Sequence, residues 1–417
     1  MKTKPIVIQD PELFEKNIRK IPKNDLHVHL DGSVRPETLI ELSKKEKLEL
    51  PSFTVDGLNT LLLKDKYKDL EEYLTFFGYS GAVMQKPEYL EQIAYELALD
   101  NQAEGVRYIE VRFAPQLHIN DIMNMETVLK SVNNGLEKAQ KRFNGKKAVS
   151  SGKEPPFHYG IIVCAMRNFG PWSHYYSELI HSFPYSNQTE IGSLASFELA
   201  KGAVQIRDKL GIPIAGFDLA GAEAGNPAAI HQKAFQYVHE AFLHKTVHAG
   251  EAYGPESIFQ AITDLHADRI GHGYNLFDTT LIKDPRIKNK RKYVADIIRY
   301  IANRRITIEV CLTSNMQTLP DIKKVENHNL GKMIKHKLST AFCTDNRTVS
   351  KTSVTKEIIL AVNHLPISPD VLKNSIIHGL KRSFFPVDYQ EKRTYVRQCI
   401  DYYEKLAETI PELAVGE

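Results

Sequence analysis

The sequence predicts an α/β chain folded as a parallel (β/α)8 barrel, with extra helices after strand one forming a lid over the carboxyl-end active site. Three observations carry that expectation. Eight short apolar runs rich in β-branched residues recur along the 417 residues, helix-like stretches separate them, and rare polar residues stand at the carboxyl ends of several runs, the rim on which barrels build their sites. Length alone suggests two or three domains at roughly 150 residues each, but α/β barrels run long as one domain. The chain therefore reads as a single barrel domain over 1–417.

Strand one is DLHVHL (25–30). Residues 31–105 hold too many helices for a simple crossover, and 50–105 is expected as the helical lid insertion. Within it, 87–104 puts Leu90, Ile93, Ala94 and Leu97 on one stripe, with Gly105 as the stop. Strand two is VRYIEVRF (106–113) and strand three YGIIVCA (159–165). Between them, 142–156 is basic and rich in Gly, Ser and Pro, which predicts a solvated surface insertion. Strand four is IAGFDL (214–219), after which Asn226 and Pro227 read as an N-cap and first-turn pair opening a helix to about residue 244. Strand five is KTVH (245–248); Pro255 then opens a helix with Ile258, Ile262 and Leu265 inward. Strand six is RIGH (269–272), followed by a surface insertion over about 275–305 whose KNKRK cluster (288–292) is read as a solvated face. Strands seven and eight are TIEVCL (307–312) and LSTAFCT (338–344). Several of these runs are apolar nearly throughout, as parallel strands covered on both faces require.

Composition bounds the partners. Hydrophobic residues make up 42% and charged residues 25%, which excludes a disordered, collagenous or disulfide-stapled chain. With 54 Lys and Arg against 51 Asp and Glu, a net of +3, no global field draws the chain to nucleic acid or an anionic membrane. The first eleven residues lack an apolar core for export and no run approaches the ~18 apolar residues of a membrane span, so a cytoplasmic protein, monomeric or weakly self-associating, is expected. Cys164, Cys311, Cys343 and Cys399 lie far apart without C-x-x-C; the first three, each in an apolar run, read as small buried hydrophobes.

His27 and His29 are two apart on strand one, so their side chains share a face. Desolvating two imidazoles without partners is costly, and a metal removes that cost. His248 ends strand five in HAGE, His272 ends strand six in GHG, and Asp345 ends strand eight in CTDN. Three His and one carboxylate suit zinc, with a position left for water.

With PKNDLHVHLDGS (22–33), FDLAGAE (217–223), TVHAGE (246–251), GHGY (271–274), CLTSN (311–315) and CTDN (343–346), and more loosely YLTFFG (73–78), the chain resembles the adenosine deaminases of the amidohydrolase superfamily. The resemblance implies that His27, His29, His248 and Asp345 bind one zinc per subunit, with His29 and Asp345 also facing the substrate and its chemistry. It implies that Asp31 holds a ribose hydroxyl, that the Gly221 backbone touches the purine, that Glu251 protonates N1, and that His272 orients the attacking water and stabilises charge beside it. Leu70, Tyr73, Leu74 and Phe77, on one helical face, would form the apolar lid over the base.

Chemistry agrees with that assignment. Hydrolytic deamination of an aromatic amine needs a strong nucleophile at neutral pH, which zinc supplies by lowering the pKa of water. The ring must also be made electrophilic, which protonation of N1 achieves; Glu251 should then carry a pKa raised by an apolar site. The same logic runs through other zinc deaminases. In one place the chain departs from the resemblance: the family has a second Asp where Asn346 stands, and an amide donates to purine N7 at any pH.

The expected activity is deamination of adenosine and 2'-deoxyadenosine to inosine-type products and ammonia in purine salvage. Two other readings compete. One is deamination of adenine or another adenine-containing nucleoside, against which Asp31 speaks because a free base has no ribose. The other is an inactive, zinc-stabilised binding or growth-factor-like protein, against which Glu251 and His272 speak because neither is needed to hold metal.

Overall fold

The computed structural model describes residues 4–68, 70–319 and 322–414, with the side chains of Leu70 and Glu71 also left out. Eight strands run in the order β1 Lys23–His29, β2 Val106–Phe113, β3 His158–Met166, β4 Ile214–Ala220, β5 His244–Ala249, β6 Arg269–His272, β7 Thr307–Val310 and β8 Thr340–Phe342. Every neighbouring pair is parallel. The barrel closes just beyond β8: the Asp345 N–H donates to the His27 carbonyl and the His29 N–H to the Asp345 carbonyl, both at 2.7 Å. The predicted (β/α)8 barrel is thereby borne out.

The strands are buried along almost their whole length, because their inner faces fill the barrel and their outer faces meet helices. Helix Pro87–Ala103 packs on β2 and on helix Met125–Asn144, burying Leu90, Ile93, Ala94 and Leu97 as its stripe predicts. Helix Pro369–Arg382 lies across β1 and β8; Gly379 lets it approach, since a Cβ there would stand 2.1 Å from Asn24 Oδ1. At the amino end of the barrel, Arg269 pairs with Glu110 and lies over the Phe384 ring at 3.5 Å.

Several expectations needed correction. The helix expected from Asn226 begins at Gln232 and ends at Glu240, preceded by a 3-10 turn, Ala228–His231. Asn226 caps nothing: the cap position of the turn falls on Pro227, and the Asn226 NH2 group donates back to the carbonyls of Ala222 and Ala224. The stretch 142–156 contains the end of helix Met125–Asn144 and a short helix Lys147–Ser150. Within 275–305, Lys290–Arg304 is the barrel's own helix between β6 and β7, capped by Asn289, and its basic start is exposed. The expected seventh strand ends early: Leu312 already belongs to helix Leu312–Thr318. All four cysteines are buried free thiols. Among the described residues, no helix is long and apolar enough to cross a membrane.

Candidate metal centre and surrounding site

Four side chains meet at the carboxyl end of the barrel. Each of His27, His29, His248 and Asp345 offers one ligand atom, and these atoms all lie within 4.8 Å of one another. His29 Nε2 stands 3.2 Å from His248 Nε2, and Asp345 Oδ1 stands 3.5 Å from His27 Nε2 and 3.4 Å from His29 Nε2. Ligands held ~2.0–2.1 Å from a tetrahedral ion lie ~3.3 Å apart, so these spacings fit zinc. His27 Nε2 is buried without a hydrogen-bond partner, an orphan that a metal would satisfy. Burial, with the neighbouring His248 and His27, keeps the His29 imidazole well below its usual pKa despite Asp345; the neutral ring is the form that ligates.

The other face of two ligand rings is pinned by carboxylates that sequence reading did not single out. His27 Nδ1 meets Glu309 Oε2 at 2.8 Å, and His248 Nδ1 meets Asp218 Oδ2 at 3.0 Å. Each contact turns Nε2 toward the centre and fixes the ring. Arg112, fully buried, bridges the two carboxylates at 2.9 Å each and donates to the Leu26 carbonyl. Burial would raise the Glu309 carboxyl, but Arg112 and Arg269 hold it well below its ordinary value. For Asp218 burial is likewise outweighed, by His248 and Arg112. Three strands thus share one charge network, and the available signal was a lone charge in an otherwise apolar strand for Asp218 and Glu309; Arg112 shares its strand with Arg107 and Glu110.

Asp345 has its second oxygen occupied by the Ser314 hydroxyl at 2.6 Å. Asp345 and His272 both adopt left-handed backbone, at φ 60° and 62°, a conformation uncommon outside glycine that clusters at functional sites. His272 stacks edge-on to His27, 4.9 Å between ring centres, and its Nε2 lies 3.7 Å from Glu251 Oε2. Glu251 is partly exposed.

The loop bearing Glu251 is built around another carboxylate. Glu223 accepts the N–H groups of Gly250, Glu251, Ala252 and Tyr253 at 2.7–3.0 Å, together with the Ser257 hydroxyl. Four successive amides around one anion form a nest. Arg167 holds the strand that leads into this loop, donating to the His248 carbonyl at 2.7 Å.

The remaining sequence-predicted residues line the rim. Asp31 Oδ1 is 4.0 Å from His29 Nδ1, and burial pushes its carboxyl up to about 6. Gly221, at φ 92°, follows β4 directly, with the Asn168 side chain against it. Asn346 is buried, with its amide turned to the Tyr73 hydroxyl. On helix Leu70–Val83, Tyr73 is buried, Phe77 half-buried and Leu74 40% exposed; the Leu70 side chain lies outside the described residues. That helix packs on the turn Asp31–Ser33 and on helix Pro36–Glu46.

Comparison with known proteins places the chain in a family. A family model described as adenosine deaminase matches residues 22–401. An adenosine deaminase of Mycobacterium avium is 34% identical over 378 residues, covering 89% of this chain and 93% of the relative. Among solved structures, an amidohydrolase of Burkholderia ambifaria with bound zinc superposes with a TM-score of 0.75 at 19% identity, over 98% of each chain. The adenine deaminase of Arthrobacter aurescens does so with a TM-score of 0.72 at 21% identity, over 92% of this chain and 99% of that one; both likenesses speak to the fold. By the extent of the family match and the identity to its relatives, the chain belongs to the adenosine deaminase family of hydrolytic deaminases.

Proposed function

We propose that this chain is a single-domain deaminase that binds one zinc ion through His27, His29, His248 and Asp345 and converts adenosine and 2'-deoxyadenosine, with water, to inosine or 2'-deoxyinosine and ammonia, a step of purine salvage. The observation that carries this reading is the tetrad itself: three imidazoles and a carboxylate whose ligand atoms lie within 4.8 Å of one another, with His27 Nε2 otherwise unpartnered. Zinc held there supplies the Lewis acidity that makes water a usable nucleophile near neutral pH.

The chain's own residues do the rest. Glu251 delivers a proton to purine N1, which draws electrons from C6 and opens it to attack. His272, packed beside the tetrad, stabilises the charge that builds on the attacking oxygen. Glu251, left as a carboxylate, takes the proton that the water gives up on attack and passes it to the amine; collapse of the tetrahedral C6 releases ammonia, and the remaining hydroxyl proton restores Glu251. Asp31 accepts from a ribose hydroxyl, the Gly221 backbone faces the ring, and Asn346 donates to N7. Helix Leu70–Val83 is the lid over the base, with Tyr73, Leu74 and Phe77 as its apolar lining.

The test is ammonia released from adenosine, 2'-deoxyadenosine and adenine offered separately, with metal content measured on the same protein. Turnover of both nucleosides by the zinc-loaded enzyme is expected. Turnover of adenine alone would remove Asp31 from ribose binding, and no turnover of any of the three would overturn the reading.

A further inference from the structure

His272 has two ring nitrogens, and which one carries the proton decides whether it offers the reacting centre a donor or an acceptor. The answer starts from a backbone amide 58 residues away in sequence. The Leu330 N–H donates to His328 Nδ1 at 3.0 Å. A backbone N–H can only donate, so Nδ1 of His328 is unprotonated and its ring is neutral with hydrogen on Nε2. His328 is buried, and burial together with His272 pushes its pKa down to about 3, so the neutral form persists. Its Nε2 lies 3.2 Å from Asn315 Oδ1 and donates to it. The other end of that amide is then an NH2 group, and it lies 3.1 Å from His272 Nδ1. An NH2 donates, so His272 Nδ1 accepts, and the ring when neutral holds its hydrogen on Nε2, the nitrogen that faces Glu251.

We propose that His328 and Asn315 are positioning residues that lock His272 as the Nε2–H tautomer, so that it meets the reacting oxygen as a hydrogen-bond donor and does not take the water's proton. Asn315 is fully buried on helix Leu312–Thr318, so the amide cannot reverse without leaving one buried hydrogen bond facing the wrong partner. An amide in this place sets the tautomer opposite to the one a carboxylate would set, which accepts from Nδ1–H.

The tautomer itself does not depend on the proposed substrate; only the kinetic part of the test rests on the deaminase reading. Ring-nitrogen chemical shifts are measured on 15N-histidine-labelled full-length protein, zinc-loaded and zinc-free, with His272 assigned by comparison with His272→Gln. The wild type is expected to show a protonated Nε2 and an unprotonated Nδ1. Asn315→Asp should move the hydrogen to Nδ1, retain zinc, and lower kcat by on the order of 10² or more, since a wrong tautomer is costly in acid–base sites. His328→Phe, which removes only the far donor, should give a mixture of tautomers and a smaller loss. A wild-type His272 protonated on Nδ1 overturns the proposal without any variant having to fold. So does an Asn315→Asp enzyme that keeps the wild-type nitrogen signature. If the signatures switch as stated but no nucleoside is deaminated by the wild type, the lock stands and the substrate assignment falls.

Discussion

The side-chain amide of Asn346 donates to the hydroxyl of Tyr73 at 2.7 Å. This bond ties the loop after β8 to helix Leu70–Val83, so the residue proposed to read the purine also anchors the proposed lid. One N–H of the amide is taken by Tyr73 and the other is left for N7. Gly32 leaves room for this arrangement, as a Cβ there would stand 1.9 Å from Asn346 Oδ1.

Asn346→Ala should therefore lower kcat/KM by ~1–3 kcal/mol in transition-state stabilisation, through the unpaired N7 acceptor. An adenosine analogue with carbon in place of N7 separates that contact from the lid anchor. The wild type and Tyr73→Phe should both discriminate strongly against the analogue, and Asn346→Ala much less. Equal discrimination by all three proteins would show that Asn346 does not read N7. Asn346→Asp should retain partial activity that declines toward alkaline pH, because a carboxyl donates only while protonated.

Metal retention should depend on both the ligands and their supports. His27→Ala and His248→Ala are each expected to strip zinc and abolish turnover. Asp218→Asn and Glu309→Gln leave the four ligands in place but loosen the rings, and should weaken zinc affinity by ~10–100-fold. Competition with a chelator measures this directly. Full zinc affinity in both support variants would show that Asp218 and Glu309 serve the barrel alone.

Glu251→Gln should keep the fold and the metal while kcat falls by ~10² or more. Glu223→Gln disturbs the nest that holds the Glu251 loop, so it should also lower kcat. Added to Glu251→Gln, it should cost little further, since both then act on one proton transfer. A fully multiplicative loss in the double variant would assign Glu223 to general folding.

Glu357 gives the stability a pH dependence. It is buried beneath helix Leu312–Thr318, and burial raises its carboxyl from 4.5 to about 7 even though the hydroxyls of Thr313 and Thr352 bond to it. Between those two values the folded chain holds a proton that the unfolded chain has lost, so stability declines as pH rises through that window. The full difference corresponds to roughly 3 kcal/mol. Glu357→Gln should flatten this part of the stability–pH curve, as read by denaturant midpoints between pH 4.5 and 7; an unchanged slope would sink the assignment.

The sequence alone determined the barrel, the order of its strands, and the side chains His27, His29, His248, His272 and Asp345 at its rim, of which the family resemblance singled out the four that meet. Strand periodicity puts His27 and His29 on one face, and polar residues closing apolar runs mark the carboxyl ends, so both are local properties of short segments. It placed element boundaries less well, as at Asn226 and Leu312, where a cap and a strand end depend on which partner the backbone finds. Tertiary structure alone decided what stands behind each functional side chain. Glu309 behind His27, Asp218 behind His248, Glu223 beneath Glu251 and His328 behind Asn315 come from separate segments that barrel closure brings within about 3 Å. A periodic pattern specifies the face a side chain takes but carries no information about the atom it will meet there. Hydrogen-bond partners, and with them the tautomer of His272 and the orientation of Asn346, exist only once the strands have closed.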